Sequence, residues 1–442
     1  MSPRALRVDD ALSLLPDLED LLPLRAALAA GSRPDETRAW AASAAYATLD
    51  TRLVDAAALA ARVPELVEET RARVEAVYRA VAEAVAAAAR GDDAGAARAL
   101  VAAGEAEEAA GRLDAAEEYF ERAREQGRRP RDRSAEGLAL RRLGRVARAR
   151  GELERALELY RAGYEVAEAQ RDHDGLVVAC QGLGNVYMER GAWEAAGEWY
   201  ERGLRLVGAG ASRELWQLES NLSAATRRAG RLEESAAWLA RAEATLAASG
   251  DTEGAAYVLN ARGLLRAARG DLQGAEEDYR QALAAADTAT QRVPVLNNLA
   301  ECLLLRGRAA DAVEALRVAE RDALSHHLLH RLIHVYRGLG EVARQRGDED
   351  GFVFFEQALE LCATPDRSRL EWAITQEEYG RFEAAMGRRE EARARLALAL
   401  EIYLELDTPV EAARARDALA ALPAEPAPGE ASHGDRPTEK PE

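Results

Sequence analysis

Apolar side chains return at helical spacing along most of this chain, the pattern that one buried face of an α-helix produces. Near the amino terminus, DETRAWAASAAYATLDTRLVDAAALAARV shows it, and PELVEETRARVEAVYRAVAEAVAAAAR repeats it from Pro64. Alanine, leucine, arginine and glutamate dominate the composition, and good helix formers far outnumber the β-branched residues that strands prefer. The sequence therefore predicts an all-α fold.

A glycine-led block recurs through the chain, in the forms GRLDAAEEYF, GELERALELY, GAWEAAGEWY, GRLEESAAWL, GDLQGAEEDY, GRAADAVEAL and GRREEARARL. These copies start at Gly111, Gly151, Gly191, Gly230, Gly270, Gly307 and Gly387. A degenerate copy, GDEDGFVFFEQAL, starts at Gly347, so the spacing is about 40 residues almost everywhere. A fixed period of this length predicts a stack of similar helical units.

The residues around each glycine predict a helical hairpin. Glycine ends one helix in a backbone conformation that a side chain disfavours, and a second helix follows. Small residues flank the glycine seven positions before it and five and twelve after it, which lets the paired helices approach closely. A large residue lies nine positions after it, at Phe120, Tyr160, Tyr200, Leu239, Tyr279, Leu316 and Leu396.

The copy at Gly347 departs from this register. Its large and small residues fall one place early, at Phe355 and Ala358, and Gly351 takes the position of the close crossing. We expect the hairpin to form with its turn shortened by one residue.

The glycine-anchored pattern resembles the tetratricopeptide repeat over roughly residues 97 to 405. The resemblance implies a right-handed α-solenoid of about eight hairpins that acts as a binding scaffold. The period of about 40 residues exceeds the usual 34, and the proline that commonly ends the second helix is missing. Longer repeats of this kind resemble those of kinesin light chains and bacterial regulatory proteins.

Three regions follow from the patterning. Residues 1–90 lack the repeat and predict an amino-terminal helical bundle or cap, which would cover the apolar face of the first repeat. Residues 91–422 predict the solenoid, with a carboxy-terminal capping helix from Pro409. Residues 423–442 have the proline-rich polar composition of a disordered tail.

In the family that this chain resembles, the first helices of successive hairpins line a concave groove, where asparagines hold a peptide backbone and arginines hold carboxylates. The matching asparagines here are Asn185, Asn221, Asn260, Asn297 and Asn298. Asparagine is a poor residue for a helix interior, and its amide can donate to and accept from a peptide backbone. The alternative is that these amides bond to neighbouring turns or to water.

An arginine strip lies upstream in the segment LRRLGRVARARG, comprising Arg141, Arg142, Arg145 and Arg148. Spacings of three and four place three of them on one side of a helix. We expect Arg141 and Arg145 to bind an acidic or carboxylate-bearing ligand. The alternative is a solvated face paired with glutamates of the next helix.

Four histidines fall in SHHLLHRLIH, and His326, His330 and His334 are spaced by four along one helical face. Such a pair can chelate a metal, but no HExxH motif or neighbouring cysteine completes a site, so we expect no metal. The strings GLGNVY at Gly182 and GLGEVA at Gly338 lie inside predicted helices and predict packing glycines. We expect no cofactor.

Composition and charge exclude several kinds of partner. The net charge of -18 disfavours binding to nucleic acid, because an acidic surface repels polyanions. The amino terminus does not resemble a signal peptide, no stretch reaches transmembrane length, and the cysteines, Cys180, Cys302 and Cys362, form no CxxC pair. We therefore expect a cytoplasmic protein without a membrane partner, in an oligomeric state that the sequence leaves open.

Two hypotheses for function follow, and neither is enzymatic. The first is a scaffold that binds a peptide segment or helix of a partner protein in the concave groove. The second is a regulatory sensor, whose superhelix tightens on a signalling peptide or small ligand. Peptide-regulated phosphatases resemble this layout, but they use a glutamine of the amino-terminal bundle, and the first glutamine here is Gln126.

Overall fold

The computed structural model describes residues 56–128, 133–208, 210–325, 328–363, 369–406 and 408–422. Within these ranges the chain forms helices and no strand, which confirms the all-α prediction. The helices are α1 (Ala56–Ala89), α2 (Asp93–Ala109), α3 (Leu113–Gly127), α4 (Ser134–Ala149), α5 (Leu153–Gln170), α6 (His173–Glu189), α7 (Trp193–Leu206), α8 (Arg213–Arg228), α9 (Leu232–Ser249), α10 (Ala255–Ala268), α11 (Leu272–Ala284), α12 (Ala289–Leu305), α13 (Ala309–Ser325), α14 (Leu329–Arg346), α15 (Asp350–Cys362), α16 (Arg369–Ala385), α17 (Arg389–Glu405) and α18 (Pro409–Ala421).

Eight hairpins, from α2 with α3 to α16 with α17, turn at the glycines that the repeat predicts. All eight glycines have positive φ, between 66° at Gly347 and 82° at Gly387. This is the left-handed region, which glycine enters without the steric cost of a side chain. At Gly111, the next residue donates its backbone N–H back to the Glu107 carbonyl at 3.0 Å, which closes the end of α2.

The two helices of a hairpin are held by a small residue lying under a large one. A Cβ atom added to Gly184 of α6 would lie 2.3 Å from the ring of Tyr200 in α7, and one added to Gly340 would lie 2.5 Å from Phe355. Tyr200 and Phe355 are both 1% exposed. The small and large positions of the repeat are therefore in van der Waals contact, and the predicted register is confirmed.

The hairpin at Gly347 forms, but the expected shortening of its turn is wrong. Its second helix, α15, begins at Asp350, three residues after the glycine, whereas second helices elsewhere begin two residues after it. The linker between α14 and α15, residues 347–349, nevertheless has three residues, as in every other hairpin, because α14 runs on to Arg346. Within this linker the side chain of Asp348 accepts a hydrogen bond from the Asp350 backbone N–H at 3.1 Å. The buried face of α15 includes Gly351, Phe355 and Ala358, each one position nearer to the glycine than in the other repeats, as the sequence indicates.

The hairpins stack so that the first helices form the inner wall of a superhelix. Each first helix, from α2 through α14, contacts the first helix of the next hairpin. This arrangement turns the first helices toward the concave side and leaves the second helices outside. The glycines inside the predicted helices are packing residues, since Gly182 lies against Tyr160 and Gly338 against Leu316.

Single helices flank the stack. At the amino-terminal end α1 packs on α2, and it also contacts α13 of the sixth hairpin. At the carboxy-terminal end α18 packs on α16 and α17 through Ala412 and Ala415, which are 3% and 0% exposed. The rest of the predicted amino-terminal region and the predicted tail, residues 1–55 and 423–442, lie outside the described residues, so the domain boundaries stay predictions.

Candidate functional site

The five asparagines predicted to line a groove all lie on first helices of the hairpins. They are Asn185 on α6, Asn221 on α8, Asn260 on α10, and Asn297 and Asn298 on α12. All five are partly buried rather than fully exposed. The sequence therefore places them on the inner wall, but their hydrogen-bond partners differ.

Some of these amides are already bonded within the protein. The Tyr200 hydroxyl donates to Asn185 Oδ1 at 2.7 Å, and Asn298 Nδ2 donates to Asn260 Oδ1 at 2.9 Å. Internal bonding therefore accounts for Asn185 and for the Asn260 carbonyl. Asn297 Oδ1, in contrast, is buried and has no hydrogen-bond partner among the described residues.

Every member of the predicted arginine strip on α4 has a carboxylate partner. Glu105 and Glu108 come from α2 and Glu189 from α6, the neighbours of α4 on the inner wall. The ion pairs are Arg141 with Asp172, Arg142 with Glu105, Arg145 with Glu108, and Arg148 with Glu189. These contacts join adjacent hairpins, and each arginine already has a negative group beside it.

Arg141 in particular packs between helices. It is 7% exposed, and its side chain lies against Gly163 of α5 and Gly175 of α6. Burial lowers the pKa of its guanidinium, and the charge of Asp172 opposes that change. Arg141 and Arg145 therefore lie apart from the cavity that Asn297 and Asn298 line.

A cavity of about 1220 Å³ lies on the inner wall between α12, α14, α16 and α18. Of the seven predicted groove residues, it is lined by Asn297 and Asn298 only. The other side chains around it are mixed, with apolar residues such as Leu304, Leu305 and Leu316 beside ionisable ones. The ionisable residues are Glu301 on α12 and, on α14, α16 and α18, Arg331, His334, Arg337, Glu341, Arg344, Glu378, Arg381, Arg414 and Asp417.

Four arginines of this cavity are neutralised by carboxylates. Arg337 donates to Glu378 at 2.7 Å and to Glu371 at 2.8 Å, and these two charges raise its pKa against the effect of burial. Arg344 pairs with Glu341 at 2.7 Å on the same helix. Arg381 and Arg414 share Glu377, which is 1% exposed, with N–O distances of 2.8 and 2.7 Å.

Arg331 differs from these four arginines. It makes no ion pair with the described residues, and its Nε atom is buried without a hydrogen-bond partner. Burial lowers its pKa, while Glu371 raises it from beyond ion-pair distance. A buried polar atom without a partner costs about 1–3 kcal/mol, so Arg331 Nε and Asn297 Oδ1 are the donor and acceptor here that a ligand would satisfy.

The predicted histidine cluster is described only in part. His326 and the side chain of His330 lie outside what the structure describes, whereas His334 lines the cavity half-buried, with Glu371 at 3.9 Å. Burial lowers the pKa of His334 and so favours the neutral imidazole. Among the described residues, no group of three or more metal-ligating side chains comes together.

Sequence reasoning missed Arg337 and Arg331 as residues of the cavity. Only Arg337 occupies a repeat position that could have indicated it. Arg337 lies ten residues before its glycine, the offset at which Asn260 and Asn297 also lie. Comparing the repeats at this offset would have found it. Arg331 lies sixteen residues before the glycine, where other repeats carry glycine, alanine, glutamine or glutamate, so nothing in the repeat marks it.

The thiols do not supply a reactive group. Cys180, Cys302 and Cys362 are buried and form no disulfide with one another. Burial raises the pKa of Cys180 to about 11, which keeps the thiol protonated and poorly nucleophilic at neutral pH.

No helix in the described ranges has both the length and the apolar character of a membrane span.

Several solved structures are similar to this chain at low identity. A Rap protein complexed with competence and sporulation factor is 14% identical, with a TM-score of 0.49 and coverage of 88% of this chain and 98% of that one. A tetratricopeptide repeat protein from Parabacteroides merdae is 14% identical, with a TM-score of 0.44 and coverage of 65% and 98%. BtubC from P. vanneervenii is 22% identical, with a TM-score of 0.41 and coverage of 49% and 92%.

A comparison with protein-family models found no match, and a comparison with curated proteins found none either. The structural similarities are too distant to bring a ligand or a partner to this chain. Its glycine turns, small-over-large packing and stacked first helices are nevertheless those of a tetratricopeptide-like solenoid.

Proposed function

We propose that this tetratricopeptide-like solenoid binds a peptide segment of a partner protein, in extended form, along the inner wall at the cavity between α12, α14, α16 and α18. The cavity volume of about 1220 Å³ exceeds the roughly 300–1,000 Å³ of most small-molecule sites. A chain of several residues fits this space better than a single small ligand. The role is binding rather than catalysis.

One observation carries the proposal: on neighbouring first helices, the cavity is lined by an arginine that pairs with no carboxylate of the described residues and by a buried amide oxygen without a hydrogen-bond partner. Asn297 Oδ1 can accept a hydrogen bond from a peptide N–H, and Arg331 Nε can donate one. Both atoms are themselves buried. A peptide that bonds to them removes a desolvation cost that the free protein carries.

The same observation favours an acidic ligand. Among the arginines that line the cavity, Arg331 pairs with no carboxylate of the described residues. A carboxylate beside it would form a charge-assisted hydrogen bond, roughly twice as strong as a neutral one. We therefore propose that the bound segment carries an aspartate, a glutamate or a terminal carboxylate at this position.

Selection from a library of random short displayed peptides tests the proposal. The selected peptides should be enriched in acidic residues and should bind the purified protein. Arg331→Gln should weaken that binding about tenfold, the effect of losing one charge-assisted hydrogen bond. Fluorescence anisotropy of a labelled selected peptide measures the affinity.

Two matched controls make the result specific. Arg344 lies on the same helix and lines the same cavity, but Glu341 pairs with it at 2.7 Å, so Arg344→Gln should retain the affinity. Asn297→Ala should weaken binding, whereas Asn185→Ala should not, because Asn185 is bonded to Tyr200. Equal binding by wild type, Arg331→Gln and Asn297→Ala would rule out this site.

A second candidate is a regulatory sensor whose superhelix changes shape when it binds a peptide or small ligand. It is favoured by a small contact between α18 and the turn at Gly191, five hairpins earlier. Small-angle scattering with and without the selected peptide separates the two functions. A smaller radius of gyration with peptide would indicate the sensor, and an unchanged radius would indicate a rigid scaffold.

We expect this function to be carried out in the cytoplasm. The three cysteines are buried and form no disulfide with one another, as a reducing compartment allows.

A further inference from the structure

One face of α18 forms a wall of the cavity. Arg414, Asp417, Ala418 and Ala421 line it, and their spacing of three and four places them along a single side of the helix. Val410 and Glu411 precede this stripe at the amino-terminal end of α18. The opposite side of α18 is buried on α16 and α17, so the helix links the last hairpin to the cavity.

The attachment of α18 to the last hairpin is firm. Arg414 donates two hydrogen bonds to Glu377 Oε2, at 2.7 and 3.0 Å, and the buried Tyr403 hydroxyl donates to the same carboxylate at 2.9 Å. Thr408, 0% exposed, donates its backbone N–H to the Tyr403 carbonyl at 3.0 Å. We therefore expect α18 and the last hairpin to move together as one rigid unit.

The amino-terminal end of α18 meets the opposite side of the superhelix. Val410 lies against the turn of the third hairpin, where a Cβ built on Gly191 would be 3.1 Å from Val410 Cγ2 and 3.5 Å from Val410 Cβ. Val410 remains 44% exposed, so the contact is small. It joins the third hairpin to the helix that follows the eighth.

A charge attraction that is not an ion pair accompanies this contact. Glu411 has a buried Oε2 atom with no hydrogen-bond partner among the described residues. Burial raises its pKa, and the positive charges of Arg414 and of Arg228 on α8 oppose that rise. Arg228 also lies 5.8 Å from the ring of Trp193, the first residue of α7. The two sides are therefore complementary in charge without being locked by a hydrogen bond.

We infer that Val410, which rests on Gly191, and Glu411, whose charge attracts that of Arg228, form a clasp that holds the superhelix closed over the cavity and opens to admit the groove ligand. This inference rests on the proposed function, since the ligand is the peptide segment bound at Arg331 and Asn297. A small contact between two firm bodies is the kind of element that opens without unfolding either of them. The clasp regulates access, and the residues around Arg331 provide the binding.

An engineered disulfide tests the clasp directly. The 3.5 Å between a Cβ at position 191 and Val410 Cβ falls in the disulfide range of about 3.5–4.5 Å, so the double variant Gly191→Cys, Val410→Cys should crosslink on oxidation. The native cysteines are buried, and the two single variants control for their reaction. Stopped-flow fluorescence then measures the association rate of a labelled acidic peptide from the library selection, with the double variant oxidised and reduced.

We expect peptide association to be at least about tenfold slower in the oxidised form than in the reduced form, because the closed clasp blocks entry. Failure of the disulfide to form in a folded double variant would overturn the inference, since the contact would not be made. Equal association rates in the two forms would also overturn it, since the contact would not control access.

A charge reversal provides a second variant, in case cysteine at the positive φ of Gly191 impairs folding. Glu411→Arg places two like charges opposite each other and should open the clasp, which would speed association and raise the radius of gyration. Glu401→Arg, at an exposed position of α17, makes the same charge change elsewhere and should match wild type.

The two proposals fail in different ways. If the library selection yields no peptide that binds wild type, the proposed function fails. Small-angle scattering of the free proteins then still tests whether the clasp closes the superhelix. A larger radius of gyration for Glu411→Arg than for Glu401→Arg would then support it. Equal radii would overturn it.

Discussion

The two ends of the inner wall use similar residues in different ways. At the amino-terminal end, Arg142, Arg145 and Arg148 of α4 reach carboxylates of α2 and α6. At the carboxy-terminal end, between α12 and α16, the wall surrounds a cavity in which Arg331 has no such carboxylate and Asn297 Oδ1 has no partner. The Nε atoms of the paired arginines are also buried without a hydrogen-bond partner, so the feature that distinguishes the cavity end is an arginine without a carboxylate beside it.

The largest expected effect tests whether the two ends differ in hairpin packing. Gly184→Ala and Gly340→Ala would each bring a Cβ within 2.5 Å of an aromatic ring, at Tyr200 and Phe355. Both should lower the free energy of unfolding by about 2 kcal/mol, because overpacking outweighs the helix preference of alanine. Chemical denaturation measures it.

Gly197→Ala is the matched control, since nothing lies within 4 Å of a Cβ at that position. It should raise the stability by about 0.5–1 kcal/mol. If only one of the two close-contact variants is destabilised, the ends differ in packing as well as in charge.

A smaller effect separates the paired from the unpaired arginine. Arg148→Gln should lower the free energy of unfolding by about 1 kcal/mol, because Glu189 keeps its partly buried charge without a cation beside it. Arg331→Gln should not lower it, because the substitution removes a buried donor that has no partner. Urea titrations of both variants provide the comparison, and a larger loss in Arg331→Gln would contradict it.

The smallest expected effect is a pH dependence of the protein's stability that arises at the cavity end. Burial lowers the pKa of His334, which is faced by Glu371, Arg337, Arg331 and Glu378. The unfolded chain binds the proton near the ordinary value of about 6.5, so stability should fall as the pH drops below that value. His334→Gln should flatten the profile of melting temperature against pH between about 7.5 and about 5.5.

His173→Gln, at an exposed position of the amino-terminal end, is the control for this measurement. Its profile should follow wild type. A His334→Gln profile with the same acid slope as wild type would place the pH dependence elsewhere in the molecule.

The fold could be predicted from sequence because its determinants are local. A glycine that needs positive φ, a small residue and a large one at fixed offsets together specify a hairpin, and each copy repeats them. The turn at Gly347 was mispredicted because the register shift was assigned to a shorter loop, whereas the linker keeps three residues and the shift lies in which side chains of α15 are buried.

The site could be predicted only in part, because the pairing of inner-wall residues depends on how hairpins far apart in the chain face each other. The position of Asn297 on a first helix follows from the repeat. That Asn185 is satisfied by Tyr200 does not, and neither does the contact of Val410 with Gly191. Such contacts depend on superhelical pitch, which small differences in every hairpin determine together.

Hydrogen–deuterium exchange of the full chain with and without a selected acidic peptide tests the central claim most directly. The account predicts that peptide slows exchange in the inner-wall helices α12, α14 and α16, and leaves α2 and α4 unchanged. Protection of α2 and α4 with none at α12 and α14 would contradict it and would place the ligand at the arginine strip.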